Sequence, residues 1–182
     1  MSGLRIIAGE WRHRKIDAPP GSVTRPTSDR SRETLFSMLA SRLGGFTGLA
    51  VADLFAGSGA LGLEALSRGA ASCQFVENDR QALTTLRANI AALRADGASV
   101  HALSATRLPA RSTPIDLILA DPPYASVDIA SWLAMLAQSG WAGSGTMIGL
   151  ETEVRAPPAC DRFTLDAKRK VGKAMLWIYL VD

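Results

Sequence analysis

The amino-acid sequence predicts an α/β protein with a doubly wound, mainly parallel, seven-stranded sheet of the Rossmann-like type. The first observation behind this prediction is the alternation of short β-prone segments with longer segments of helical periodicity. The second is residues 49–55, an apolar run broken only by Asp53, which is typical of a buried parallel strand. The third is a glycine-rich turn that follows this run and leads into a helix.

Seven segments have the composition and the flanking turn residues of strands. They are residues 49–55, 73–77, 99–103, 115–121, 146–151, 163–167 and 175–181. The helices predicted around them begin near Asp29, after the glycine turn, at Arg80 and at Ile129. A basic segment containing Gly172 joins the last two strands, and this short connection favours an antiparallel hairpin.

A smaller unit precedes the main domain. Residues 4–8 and 14–18 are β-prone and can pair as a hairpin, and Pro19-Pro20-Gly21 ends the unit. We therefore predict an N-terminal β-hairpin extension at residues 1–20, followed by one domain at residues 21–182.

Composition argues against several classes of protein. No stretch reaches the roughly 20 uninterrupted apolar residues of a membrane-spanning helix, and the first residues lack the apolar core of a secretory signal. The two cysteines, Cys73 and Cys160, are too few and too isolated for a disulfide framework or a zinc site, so no metal is expected. We expect a cytoplasmic protein that acts as a monomer and has no membrane partner.

The net charge is only +3, but the positive charge is concentrated in two places. Seven basic residues precede Glu33, against three acidic ones, and a second basic cluster lies at residues 168–173. These clusters could form one phosphate-binding face if the fold brings the two ends together. Ordinary solvated charge explains them equally well, and charge alone does not decide between the two interpretations.

The glycine-rich turn is the first candidate site. Gly57, Gly59 and Gly62 satisfy the dinucleotide-binding pattern G-x-G-x-x-G, which is a weak signal by itself. Asp53 stands just before the turn, where a carboxylate would repel a pyrophosphate but attract an ammonium or a sulfonium group. The candidate cofactor-binding residues of this turn are Asp53, Phe55, Ala56, Gly57, Ser58, Gly59, Leu61 and Gly62.

The second strand ends in the sequence Glu77-Asn78-Asp79. An acidic residue about 20 positions after a glycine turn commonly binds the ribose hydroxyls of a nucleotide. Glu77 is therefore predicted to accept hydrogen bonds from both hydroxyls, with Asn78 beside it in the cofactor site. Asp79 is predicted to cap the helix that starts at Arg80.

The fourth strand ends in Asp121-Pro122-Pro123-Tyr124, the most specific short motif of the chain. The two prolines fix φ at about −65° and remove two amide donors, so the carbonyls of Asp121 and Pro122 can face a cleft as acceptors. With the Asp121 carboxylate, they can hold both N–H groups of an exocyclic amine, while Tyr124 offers an aromatic face to a planar base. The motif therefore predicts methyl transfer to an amine through positioning, without a metal or a covalent intermediate.

Several functions remain open on these residues alone. The same motif serves the N6 amine of adenine in DNA, although the chain has no insertion large enough for a target-recognition domain. In enzymes that methylate a glutamine amide, asparagine usually replaces the aspartate at position 121. A non-catalytic RNA-binding assembly factor could also keep this fold, but the retention of Asp53, Glu77 and the whole proline motif argues against it.

Two N-terminal segments narrow the choice. Arg5-Ile6-Ile7-Ala8-Gly9-Glu10-Trp11 and Arg25-Pro26-Thr27-Ser28-Asp29-Arg30-Ser31-Arg32-Glu33-Thr34-Leu35-Phe36, together with the motifs above, resemble the bacterial family of 16S ribosomal RNA guanine-N2 methyltransferases (RsmD). The resemblance runs over nearly the whole chain and implies the class I methyltransferase fold. It also implies S-adenosylmethionine as donor, the N2 amine of a 16S rRNA guanine as acceptor, and the small ribosomal subunit or its precursor as substrate.

Carried over by position, the resemblance assigns Asp53 to Gly62 and Glu77 to the cofactor, and Asp121 to Tyr124 to the guanine. The chain departs from the family after the third strand, where a carboxylate commonly lies near the adenine amine. Here the sequence reads Leu103-Ser104-Ala105-Thr106, so the Ser104 hydroxyl or the backbone near Ala105 is the predicted replacement.

The N-terminal segments also contain candidates for contact with nucleic acid. They are Arg5, Trp11, Arg12, Arg14, Lys15, Arg25, Thr27, Arg30 and Arg32. The arginines of residues 25–33 could instead hold the methionine carboxylate of the cofactor or be solvated charges at a helix start. Trp11 could stack on a nucleotide or anchor the hairpin, and the sequence does not separate these roles.

Overall fold

The computed structural model describes residues 4–20, 29–123, 127–153 and 160–182. Its helices are α1 (Asp29–Leu43), α2 (Ala60–Ser67), α3 (Arg80–Leu93) and α4 (Ile129–Gln138). Its strands are β1 (Ala50–Leu54), β2 (Ser72–Glu77), β3 (Ala98–Ala102), β4 (Leu117–Ala120), β5 (Met147–Thr152), β6 (Phe163–Val171) and β7 (Ala174–Val181). All seven strands predicted for the sheet are present, and only β6 differs from its predicted bounds by more than two residues, whereas the β-prone segments 4–8 and 14–18 do not form regular strands.

The seven strands form one sheet in the order β3-β2-β1-β4-β5-β7-β6. The first five strands of this order run parallel, whereas β7 is antiparallel to both β5 and β6. The doubly wound, mainly parallel prediction is therefore confirmed. The strand order reverses between β1 and β4, and ligands of such sheets bind at the carboxyl ends of the strands beside that switch point.

The apolar side chains of the central strands alternate between the two faces of the sheet, and each face is covered by helices. On one face, α1 crosses β5 at Gly149, where an added Cβ would lie 3.2 Å from Leu39 Cδ1 and 3.4 Å from Leu35 Cδ1. On the other face, Trp132 and Leu133 of α4 are buried in a second core cluster. The central strands thus have no solvated face, which explains their almost continuous apolar sequence.

The basic segment near the C-terminus lies in a strand and not in the connection where we predicted it. β6 continues to Val171, so Lys168, Arg169 and Lys170 pair with β7, and the strand has an irregularity between Leu165 and Ala167. β6 is the last strand of the sheet. Charged side chains are common on edge strands because they prevent further strand pairing.

The N-terminal segment forms a short, irregular hairpin. Ile6 N donates to Arg14 O at 2.9 Å and Ile16 N donates to Leu4 O at 3.0 Å, while Arg5 and Lys15 form a single antiparallel bridge. These pairs are too few for regular strands. The side chains of Leu4, Ile6 and Ile16 are nevertheless buried in the same core cluster as α1 and α2.

Glu64 of α2 attaches this hairpin to the main fold. Its carboxylate is fully buried and accepts hydrogen bonds from Ile7 N at 2.7 Å, Ala8 N at 3.0 Å and Arg68 Nε at 2.7 Å. Gly9 lies so close to α2 that an added Cβ would be 1.8 Å from Ser67 O. The hairpin is therefore positioned by the helix that directly follows the glycine turn.

Candidate active site

A cleft of about 230 Å³ lies at the carboxyl ends of the central strands, beside the switch point. Its walls come from four separate chain segments. The lining residues are Phe55, Val76, Glu77, Asn78, Ser104, Ala105, Thr106, Pro123 and Val127. Six of them are residues that the sequence assigned to the site. Val76, Thr106 and Val127 were not, because an apolar or hydroxyl side chain at a strand end carries no chemical signal of its own.

The glycine turn has the backbone conformation that its sequence predicts. Gly57 and Gly59 have φ values of 54° and 82°, in the left-handed region that other residues rarely adopt. An added Cβ at Gly59 would lie 2.4 Å from Leu86 Cδ1, and one at Gly62 would lie 2.4 Å from Phe75 Cε1. Gly59 and Gly62 therefore allow close packing of the turn, whereas a Cβ at Gly57 would meet nothing within 4 Å.

Asp53 is buried at the end of β1, where its carboxylate accepts a hydrogen bond from Gly62 N at 2.8 Å. Burial raises the pKa of this carboxyl well above its usual range, and the nearby negative charges of Glu77 and Asp121 raise it further. A cationic group bound beside Asp53 would favour its ionised form. The site is therefore electrostatically suited to a positively charged ligand.

Glu77 organises the backbone around the cleft. Its carboxylate accepts hydrogen bonds from Gly57 N at 2.8 Å, Asn78 N at 2.7 Å and Asp79 N at 2.8 Å. A carboxylate has about four acceptor positions, so about one remains for a ligand. Contact with two ribose hydroxyls, as predicted from the sequence, thus requires one backbone donor to be shared or replaced. Asp79 caps α3 as predicted, accepting from Ala82 N at 2.8 Å.

The loop after β3 forms one wall of the cleft, and its sequence contains no carboxylate. The Ala105 carbonyl accepts a hydrogen bond from Trp132 Nε1 at 3.0 Å, and the Trp132 ring packs at 5.8 Å from that of Phe55. The Ser104 and Thr106 hydroxyl oxygens are 2.9 Å apart. These two hydroxyls are the polar side-chain groups with which this loop lines the cleft.

Asp121 directly follows β4 at the same edge of the sheet. Its negative charge raises the pKa of both Asp53 and Glu151, which places its carboxylate near the ends of β1 and β5. Pro122 is buried, whereas Pro123 is exposed and lines the cleft. Tyr124 lies outside the described residues. The structure thus brings Pro123 of the proline motif to the cleft that Phe55 of the glycine turn and Glu77 also line.

The N-terminal residues predicted to contact nucleic acid differ in their exposure to solvent. Arg12, Arg14, Lys15 and Arg30 are exposed. Arg5 is also exposed and forms an ion pair with Asp29 at 3.0 Å. Arg25 and Thr27 lie outside the described residues.

Trp11 is half-buried against the core cluster, and its backbone N–H donates to Ser67 Oγ at 3.0 Å. This position fits the anchoring role for Trp11 and attaches the hairpin to α2. The hairpin packs on α2, whereas Lys168 and its basic neighbours lie on the edge strand β6.

The prediction that Arg32 contacts nucleic acid is wrong. Its side chain is fully buried, and its guanidinium donates to Asp29 Oδ1 at 2.9 Å and to the Arg5 carbonyl. It therefore has no surface to offer to an RNA phosphate. The signal was present in the sequence, because Leu35, Phe36 and Leu39 lie on the same helical stripe as position 32.

Membrane-spanning helices and metal-binding clusters were sought only in the ranges that the structure describes. Within them, no helix has the length and apolar character needed to cross a membrane. The same ranges contain no group of three or more histidine, cysteine, aspartate or glutamate residues able to hold a metal ion.

The sheet order, the glycine turn after β1, the carboxylate ending β2 and the proline motif ending β4 together define a class I methyltransferase. A family model described as "Conserved hypothetical protein 95" matches residues 4–180. The chain therefore belongs to this family, the RsmD family that its sequence resembles.

Individual relatives agree with this assignment. The chain is 36% identical to "Ribosomal RNA small subunit methyltransferase D" of Escherichia coli strain K12, over 97% of this chain and 89% of the relative. It is 33% identical to the protein of the same name in Haemophilus influenzae, over 97% and 93%. The solved structure of yhhF from Escherichia coli is similar with a TM-score of 0.86 and 36% identity, covering 98% of each chain.

Proposed function

We propose that this protein transfers a methyl group from S-adenosylmethionine to the exocyclic N2 amine of a guanine in 16S rRNA, within the small ribosomal subunit or its precursor. The observation that carries the proposal is the position of Asp121-Pro122-Pro123, a rigid acceptor segment beside a nucleoside-sized cleft. The names of the two bacterial relatives support the small-subunit RNA as substrate. The monomeric state and the cytoplasmic location expected from the sequence belong to the same proposal.

The residues of the cleft fit S-adenosylmethionine. Asp53 is a buried carboxylate that a cationic ligand would stabilise, and Glu77 retains acceptor capacity for a ribose hydroxyl. Phe55, Val76 and Val127 provide apolar walls for an adenine ring. When bound, this cofactor supplies a methyl group that is already activated by a positively charged sulfur.

The protein's own contribution to the reaction is the orientation of the amine. The exocyclic nitrogen of guanine is a poor nucleophile, because its lone pair is delocalised into the ring. Acceptors at Asp121 and Pro122 hold the two N–H groups out of the ring plane, which returns the lone pair to the nitrogen and directs it across the cleft. Neither proline has an N–H that would compete for these acceptors. Positioning of this kind accounts for a large part of the rate of a displacement reaction.

Transfer of labelled methyl from S-adenosylmethionine tests the proposal directly. The acceptors are unmodified small-subunit particles, naked 16S rRNA, DNA and protein, and the labelled product is identified by nucleoside analysis. We expect N2-methylguanine from the small-subunit samples alone. Label in N6-methyladenine of DNA, or in protein, would contradict the proposed substrate.

The exposed side of the N-terminal hairpin is the proposed RNA surface. Arg14 donates to the Ala92 carbonyl of α3, so Arg12 and Lys15 are the cleaner positions for a test. Changing both to glutamine should weaken RNA binding and reduce the slope of log affinity against log salt by roughly one per lost phosphate contact. The affinity for S-adenosylmethionine should not change.

Arg111→Gln is the matched control, because Arg111 packs on Trp141 and precedes β4, at the amino edge of the sheet. Filter binding at several salt concentrations measures all variants. An unchanged salt slope in the double variant would remove the hairpin from the RNA-binding surface.

A further inference from the structure

The hairpin formed by β6 and β7 carries a cluster of positive charge that the proposed function has not used. Its members, here called the basic tip, are Lys168, Arg169, Lys170 and Lys173, and all are exposed to solvent. Within the described part of the chain, none of these side chains forms an ion pair or a hydrogen bond. Neighbouring charges of one sign repel one another, so this cluster is unfavourable in the free protein.

The strand directions place the basic tip at the same edge of the sheet as the cleft. β7 is antiparallel to both β5 and β6, so β6 runs in the direction of the parallel strands. The register agrees, because Arg169 pairs with Leu176, and Leu176 pairs with Glu151 near the carboxyl end of β5. β6 is three strands away from β4, which places the tip roughly 14 Å along this edge from the proline motif.

Two of the four cations also lie on the face of the sheet that carries a wall of the cleft. Residues directly opposite each other in an antiparallel pair have their side chains on the same face. Lys168 pairs with Trp177, and Lys170 pairs with Met175. Trp177 belongs to the core cluster that also contains the cleft residue Val76, and Met175 packs against that cluster. The two lysines are therefore on the same face as this cleft wall.

Protection of an edge strand accounts for the presence of charge in β6 but not for its distribution. A charge of either sign blocks further strand pairing. In β6 the sign changes along the strand. Its amino half contains Asp166, which forms an ion pair with Arg42, whereas the only charged residues of its carboxyl half are cations. The positive charge is thus concentrated at the end of the strand that lies at the edge of the cleft.

The hairpin holds these cations on an ordered backbone. A two-residue turn, Gly172-Lys173, joins β6 to β7, and Gly172 has a φ of 60°. Two-residue turns that begin with a positive φ match the twist of the strands they join. The partner strand is anchored in the core, since Leu176 and Trp177 are fully buried. Cations on a rigid support lose less conformational entropy on binding than cations on a flexible loop.

We propose that the basic tip binds phosphate groups of the substrate RNA beside the target base, as a second RNA surface in addition to the N-terminal hairpin. The inference rests on the proposed function, which takes small-subunit RNA as the substrate. Contacts from lysine and arginine to phosphates release bound counterions and are strongest at low salt. Such contacts carry no sequence information, but they fix the register and orientation of the nucleic acid. The basic tip thereby positions the RNA so that one base reaches the proline motif.

The double variant Lys168→Gln/Lys170→Gln tests this role through binding to naked, unmodified 16S rRNA, measured by filter retention at several salt concentrations. The slope of log affinity against log salt should fall by roughly 1.4 to 1.8, the value for two lost phosphate contacts. At about 0.1 M salt the same relation gives a Kd that rises by roughly 25- to 60-fold. The Tm and the Kd for S-adenosylmethionine should not change, because both side chains are exposed and lie outside the cleft.

Two matched variants separate the position of the charge from its amount. Arg111→Gln/Arg162→Gln also removes two positive charges, but Arg111 precedes β4 and Arg162 precedes β6, at the amino edge of the sheet. This variant should keep the wild-type slope. Lys168→Arg/Lys170→Arg retains both charges at the tip and should keep the slope as well.

Three results would overturn the role of the basic tip. The first is an unchanged slope in Lys168→Gln/Lys170→Gln, and the second is an equal loss in the amino-edge variant. The third is weaker binding to small-subunit particles with unchanged binding to naked rRNA, which would indicate an acidic protein as the partner. Failure of the wild-type protein to bind naked rRNA at low salt counts with the third result, because phosphate contact requires no assembled particle.

The labelled product of the wild-type protein separates this inference from the proposed function. N2-methylguanine from the small-subunit samples, together with an unchanged slope in Lys168→Gln/Lys170→Gln, would reject the basic tip alone. Label only in DNA or in protein would reject the proposed function and, with it, the RNA-binding role of the tip.

Discussion

Asp121→Ala is expected to lower kcat by roughly 100- to 1,000-fold, the usual cost of removing one preorganised group that contacts the reacting atoms. The carboxylate directly follows β4 and is one of the acceptors proposed to orient the amine. The Kd for S-adenosylmethionine should change by less than about twofold, because Asp121 is proposed to contact the base and not the cofactor. Single-turnover methyl transfer and calorimetric cofactor binding measure the two quantities separately.

Asp116→Ala is the matched control for this variant. Asp116 precedes the same strand at its amino end, where its carboxylate accepts a hydrogen bond from Ala50 N at 2.8 Å. Its loss should reduce stability without reducing kcat. Equal losses of turnover and of cofactor affinity in Asp121→Ala would mean that Asp121 mainly supports the fold.

Glu77→Ala should raise the Kd for S-adenosylmethionine by roughly 10- to 100-fold, the value of about one charge-assisted hydrogen bond. The variant removes the proposed ribose acceptor. It also removes the acceptor for three backbone N–H groups, among them that of Gly57 in the glycine turn. Both losses act on the cofactor site, and isothermal titration measures their sum.

Two further variants show which loss dominates. Glu77→Gln retains one acceptor oxygen in the same place and should have an intermediate Kd. Asp79→Ala removes the cap of α3 without touching the cleft, so it should lower the Tm but not the affinity. A Kd for Glu77→Ala within twofold of wild type would remove Glu77 from the cofactor site.

The architecture follows from local signals in the sequence. Strand and helix periods alternate, and the glycines and prolines at their ends fix the boundaries, so each segment can be assigned without knowledge of the others. β6 was predicted too short, because pairing with β7 extends a basic segment that has little strand propensity alone.

The sequence predicted those residues of the candidate site whose side chains carry a functional group. Asp53, Glu77 and Asp121 are acidic residues at strand ends, and the sheet order brings them to one edge. The burial of Glu151 in β5 was not predicted, because α1, which packs on β5 at Gly149, is distant along the chain. Arg32 was misassigned because exposed Arg30 and buried Arg32 differ only in helical phase.

The attachment of the hairpin through Glu64 limits the modularity of this protein. The first segment of the chain and α2 share one buried carboxylate, so neither can be exchanged between relatives without the other. The segment proposed to contact the RNA and the helix that follows the glycine turn are therefore inherited as one unit. A chimaera that joins the hairpin of one relative to the sheet of another must carry the matching α2, or the transplanted backbone loses its acceptor.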